Sequence, residues 1–176
     1  MRQLALSAVG RDRAGIVAAV SEQLLAHEVN IDDSQMAILR GHFAMMLIVS
    51  APDGLDVSAL RTDLDGVHEL MGLEGMSLSE VEDAPGRPTA SHVVTVYGAD
   101  HPGIVHAITS ALAAGGTSIT GLTTRLVSSG ESPVYVMIIE AAVPSGAEAV
   151  LESDLADVAR AEGLEVTLSP LEHDAL

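Results

Sequence analysis

Two short segments carry the residues best suited to chemistry, and that chemistry is the capture of an anion by backbone amides. Gly10-Arg11-Asp12-Arg13-Ala14-Gly15-Ile16-Val17 returns as Gly98-Ala99-Asp100-His101-Pro102-Gly103-Ile104-Val105, a shift of 88 positions that also carries Asn30-Ile31 onto Ser118-Ile119 and Leu24 onto Leu112. Each segment follows an apolar run and precedes apolar residues at helical spacing, so each reads as a strand-to-helix turn. The unpaired N–H groups at Gly15, Ile16 and Val17 then sit at the positive end of a helix, where a carboxylate is favoured. Glycine at 15 and 103 permits close approach because it has no side chain. Asp12 and Asp100 stand where helix N-caps are expected, a role that does not exclude ligand contact.

Other chemistries find little support. His101 and His106 are five apart with no third ligand nearby, so no metal site is expected. There is no Cys, which removes thiolate ligands and thiol nucleophiles, and all eight basic residues are Arg, which removes Schiff-base and P-loop lysines. No segment resembles a nucleophile elbow. Neither an enzyme nor a cofactor is therefore expected. The net charge of −17 is spread over both halves, with no basic patch for phosphate, so no direct nucleic-acid contact is expected. No apolar run approaches membrane-spanning length and the start lacks a long apolar signal region, so the expectation is a cytoplasmic protein with no membrane contact.

The elements that must position the turns follow from periodicity. Residues 3–9 alternate and end at Gly10, which reads as a strand; Ile16, Val17, Val20 and Leu24 mark a helix over 14–27. Residues 30–39 and 43–49 read as a hairpin about Arg40-Gly41-His42, its second strand apolar on both faces. Val57, Leu60, Leu64, Val67 and Met71 mark a second helix and residues 73–81 a last strand. The same order recurs from His92: strand 92–97, a helix carrying Ile104, Val105, Ile108 and Leu112, a hairpin of 118–127 and 134–142 with a turn four residues longer, a helix marked by Leu151, Leu155 and Val158, and a strand 164–168.

This is an α+β chain of two ferredoxin-like βαββαβ domains, each a four-stranded antiparallel sheet with two helices on one face. The expected organisation is a first domain over 1–82, a linker over 83–91, a second domain over 92–171 and a tail over 172–176. Helices on one face leave the other bare, with Met46, Ile48, Val136 and Ile138 on it. Another sheet or helix, within the chain or across a homodimer, is expected to cover it.

With Gly-x-Asp-x-x-Gly-Ile-Val, the following Asn-Ile and a Phe-x-Met strand in hand, each half resembles an ACT domain, the small ligand-binding module of amino-acid metabolism. Two copies with no attached enzyme resemble the glycine cleavage system transcriptional repressor group, and also the regulatory halves of phosphoserine phosphatases and formyltetrahydrofolate deformylases. The resemblance implies a small-molecule amino acid held between the turn of one domain and the neighbouring strand of another. Matched residue by residue, the first copy keeps Asp12, Gly15, Ile16 and Asn30, and the second Asp100, Pro102, Gly103 and Ile104; Ile31 and His101 beside them are further candidate ligand contacts. Ala14 departs from the proline usual at its position, and Ser118 replaces the asparagine. Asn30 is therefore the residue on which binding is expected to depend most. Two readings stay open: an amino-acid-binding regulator, and a ligand-free interaction module whose protein partner is a transcription regulator or a metabolic enzyme.

Overall fold

A computed structural model of the chain describes residues 1–81, 88–129 and 132–171. The expected linker over 83–91 falls in part outside the described residues, as does the tip of the lengthened hairpin turn, and the tail over 172–176 falls wholly outside them. The chain divides into two compact units, Met1–Pro85 and Gly86–Leu176. The first contains β1 (Arg2–Arg11), α1 (Ile16–Ala26), β2 (Asn30–Leu39), β3 (His42–Ala51), α2 (Val57–Met71) and β4 (Leu73–Glu80). The second contains β5 (His92–Ala99), α3 (Ile104–Ala114), β6 (Ser118–Ser129), β7 (Ser132–Ala142), α4 (Glu148–Glu162) and β8 (Glu165–Pro170).

Both sheets are wholly antiparallel, in the orders β2-β3-β1-β4 and β6-β7-β5-β8. Strand alternation selects the buried face. Phe43, Met45, Leu47 and Val49 of β3 join Leu4 and Leu6 of β1, and the α1 stripe Ile16, Val20 and Leu24 closes over them with Leu60, Leu64 and Val67 of α2. Val94, Val96, Met137, Ile139, Ile108, Leu112, Leu151 and Leu155 do the same in the second unit. On the other face of β3 and β7, Met46 and Ile138 are exposed.

Two local devices fix the turns. Arg40 and Gly41 both have positive φ, 51° and 81°, as a two-residue hairpin turn of the type I′ hand requires. The Gly41 carbonyl accepts from the Asp12 amide at 2.9 Å, which ties the β1–α1 turn to the hairpin tip. Gly10 provides the second device, since a Cβ there would lie 2.9 Å from the Leu73 Cα. Each long edge strand also carries an irregularity at the same place, β2 between Ile31 and Asp33 and β6 between Ile119 and Gly121.

Thr117, just before β6, is 8% exposed, and its hydroxyl finds no partner among the described residues. Its counterpart 88 positions earlier is Val29, buried in the first core. An unpaired buried hydroxyl costs about 1–3 kcal/mol. Thr117→Val is therefore expected to raise the thermal midpoint of the second unit by several degrees, measured by scanning calorimetry; a lower midpoint would refute the reading.

Candidate ligand-binding turns

The two repeated turns have nearly the same backbone. Gly15 is the N-cap of α1 with φ 97°, and Gly103 is the N-cap of α3 with φ 107°; no side chain caps either helix. This corrects the expected start of the first helix at residue 14 and the expected capping by Asp12 and Asp100. A glycine in the left-handed region ends the turn and starts the helix, so the aspartates three residues earlier cannot reach the first-turn amides as caps. Both aspartates are exposed in their turns.

The consequence is two open helix starts. Ala19 N donates to Gly15 O and Ala107 N to Gly103 O, each at 2.9 Å, so the first intrahelical bonds begin there and the amides of 16–18 and 104–106 have no acceptor within their helices. Neither first turn contains an acidic residue. By contrast, Asp56 caps α2, accepting from Ser58 N at 2.9 Å and Ala59 N at 3.2 Å, and α4 has Glu148 in its first turn. Among the described residues, the two helices that follow the repeated turns are those whose positive ends are left without an anion. The side chains of Ile16 and Ile104 are buried in the cores, so these residues offer a ligand only their amides. Ala14 and Pro102 shape the turns and are exposed.

Asn30 and Ser118 lie elsewhere. Asn30 pairs with Ser50, which pairs with Gln3 at the start of β1, whereas Gly10 pairs with Phe43 at the other end of that strand. Seven residues of strand separate the two levels, about 23 Å at 3.3 Å per residue. Ser118, opposite Ala142, is placed likewise against Gly98 opposite Tyr135. Within one domain, Asn30 and the turn after Gly10 therefore lie at opposite ends of the sheet. The Asn30 amide donates to Asp32 Oδ1 at 2.9 Å, and Asp32 also accepts from the Ser50 hydroxyl, a polar set that Ser118, Thr120 and Ala142 do not repeat. Ile31 is partly exposed beside it.

The repeat also aligns Arg13 with the candidate His101, an equivalence that residue-by-residue matching overlooked. Arg13 and His101 are 88 positions apart, and each reaches the C-terminus of its unit's second helix. The Arg13 guanidinium lies against Gly72, the C-cap of α2; a Cβ there would be 3.6 Å from Nη1. His101 places Nδ1 3.2 Å from the Pro102 carbonyl and Nε2 3.2 Å from the Glu162 carbonyl at the end of α4, with the Glu162 carboxylate 3.8 Å from Nδ1. Cations are favoured at helix C-termini. The identical spacing of two basic residues in the turns was the available signal.

Both His101 nitrogens can donate only in the imidazolium form. Those two carbonyls, followed by the charges of Glu162 and Asp100, raise its pKa above the usual 6.5. A raised folded pKa means stability present below the unfolded pKa and lost as pH rises through the folded one. The unfolding midpoint of the second unit is thus expected to fall as pH is raised from 6 through the shifted value, and His101→Gln is expected to flatten that slope in urea titrations at stepped pH. An unchanged slope would refute the tie. His101 is therefore a strut of the turn, with both donors already engaged.

Among the described residues, no group of three His, Cys, Asp or Glu side chains gathers into a metal site, and no helix is long and apolar enough to cross a membrane.

The sequence profile of the ACT domain matches residues 2–76 and 91–169. The chain belongs to the ACT domain family. This tandem ACT protein is 28% identical over 166 residues to phosphoserine phosphatase SerB2 of Mycobacterium tuberculosis; the match takes in 93% of the ACT chain and 39% of the phosphatase. Among solved structures, an unknown protein from Galdieria sulphuraria superposes with a TM-score of 0.84 at 26% identity, covering 97% of this chain and 99% of that one. A candidate glycine cleavage system transcriptional repressor superposes with a TM-score of 0.74 at 21% identity, covering 98% of each chain, a likeness of fold.

Proposed function

We propose that this tandem ACT protein is a non-enzymatic regulator that binds a small amino acid by its α-carboxylate at the turns of residues 10–17 and 98–105. One observation carries the reading: the two turns open α-helices that have no side-chain cap and no acid in the first turn, behind glycines at φ 97° and 107°. Amides and dipole there favour one carboxylate per turn, typically by 0.3–1 kcal/mol per charge at exposed ends and more when solvent is excluded. Asn30, too far along β1 to help within its own domain, completes the site of a neighbouring ACT domain. Binding that joins two domains favours the paired state over the unpaired one, which is how such a protein reports ligand to a transcription regulator or a metabolic enzyme. Membership of the ACT family and the full-length likeness to a candidate repressor support a regulatory role.

The test is calorimetric titration of the full chain with each of the twenty amino acids. Heat saturating at a stoichiometry of one or two per chain is expected for at least one of them, and none for its carboxamide analogue. No binding to any would end the proposal.

A second reading has its own observation. All ten residues of β2 are exposed, with Met36, Ile38 and Leu39 among them, a surface suited to a protein partner with or without ligand. Capture of a regulator or an enzyme whose yield ignores added amino acids would favour it.

A further inference from the structure

A cavity of about 150 Å³ opens between α1 and the edge strand β2 of the first unit. Its floor is Met45 and Leu47, both buried, and its walls are Val17 and Ser21 of α1 with Ile31, Ser34 and Met36 of β2. Val17 and Met36 are nearly half exposed, so the cavity has a mouth to solvent. The lining is apolar and uncharged apart from two hydroxyls, and the Ser21 hydroxyl is already donated to Ala18 O at 3.0 Å. A charged or amide side chain placed there would lose its hydration without partners, while a hydrocarbon group would gain by leaving water. An apolar cavity of roughly this volume holds a molecule the size of benzene, so a branched aliphatic side chain fits.

Val17 belongs to two features at once. Its amide is among the open donors of the first turn of α1, and its side chain is a wall of the cavity. We infer that the first ACT copy selects a branched aliphatic amino acid, whose side chain enters this cavity while its carboxylate rests on the α1 amides. The inference rests on the carboxylate reading proposed above and adds the class of side chain.

The second copy supports it by contrast. Ser34 pairs with Leu47, and at the same register Leu122 pairs with Ile139. Ser21 and Met36 correspond to Thr109 and Thr124. Leu122, itself nearly half exposed, puts a branched hydrocarbon at the strand position where the first copy has only the Ser34 hydroxymethyl group. The two copies therefore differ in specificity, and Ser34 is the residue that sets it.

The experiment is titration of the full chain and of Ser34→Leu with glycine, serine, valine and leucine, alongside methyl NMR of the methionines. Leucine or valine is expected to bind the first site about tenfold or more tightly than glycine, the discrimination typical of added methylenes in an apolar pocket. Ser34→Leu is expected to reduce leucine affinity to the glycine level and leave glycine unchanged, with Ser34→Val intermediate should the larger substitution unfold the strand. The Met36 and Met45 methyl resonances are expected to shift with leucine and not with glycine. Equal affinities that Ser34→Leu does not alter, or leucine-induced shifts that miss both methionines, overturn the inference while leaving the carboxylate reading standing. Failure of all twenty amino acids to bind overturns both.

Discussion

Gly10→Val is expected to lower the stability of the first ACT domain by about 3 kcal/mol, the upper end of what overpacking usually costs. The reason is what the new side chain meets. A Cβ on Gly10 would lie 2.9 Å from the Leu73 Cα and 3.1 Å from the Glu74 amide nitrogen, main-chain atoms that can move only if β4 moves away from β1. Gly98, its counterpart, makes a control. There the added Cβ would be 2.4 Å from a Leu164 methyl, with the nearest main-chain atoms at 3.6 Å, so rotation of one side chain relieves the clash. Gly98→Ala is therefore expected to cost about 1 kcal/mol, in the range of an off-rotamer side chain. Both tyrosines, Tyr97 and Tyr135, lie in the second domain and the chain has no Trp, so tyrosine fluorescence reports that domain while circular dichroism reports both. The Gly10→Val transition is expected to move in dichroism and not in fluorescence. An unmoved dichroism midpoint would refute the steric account.

Gly15→Asp is expected to abolish ligand binding at the first turn, weakening it by about a hundredfold or more, while the domain stays folded. Space is available: the nearest atom to an added Cβ is the Met71 methyl at 3.6 Å, an ordinary contact. The folding cost is confined to the left-handed φ, about 1–2 kcal/mol for a side chain other than glycine. The carboxylate so introduced lies beside the open amides of α1, as Asp56 lies beside those of α2, which offsets part of that cost and keeps a ligand carboxylate out. Losing a charge-assisted site of this kind and gaining like-charge repulsion together account for the size of the effect. Gly103→Asp tests the second turn in the same way, and the two variants count the sites. Calorimetry with undiminished affinity in both variants would show that the ligand rests elsewhere.

Much of the fold was legible because its causes are local and repeat. The two-residue alternation of Phe43, Met45, Leu47 and Val49 and the spacing of Leu60, Leu64 and Val67 state which face is buried, and the period of 88 supplied a second copy of each argument. The start of α1 was misread for an equally physical reason. Asp12 is a good cap by type, but capping needs the residue at the position where the helix begins, and that position is decided by which glycine turns left-handed. Sequence does not display φ. The candidate site was half legible. Glycines and amides at the turns are where the repeat puts them, and Asn30 lies at the far end of its own sheet because α1 runs back along it for 11 residues, about 16 Å, before β2 begins. Nearness in the chain became distance in the fold. The shared role of Arg13 and His101 as struts went unread because Arg and His look unrelated until both are seen against the ends of α2 and α4.

The irregularity that β2 and β6 share after their second residue bears on which chains can associate with this one. A ten-residue edge strand with apolar residues along it is an invitation to any extended segment in the cell. The break at Asp32 interrupts the ladder of bonding groups and sets two adjacent carboxylates, Asp32 and Asp33, at the kink. A straight strand laid along this edge would meet mismatched spacing and negative charge together at that level.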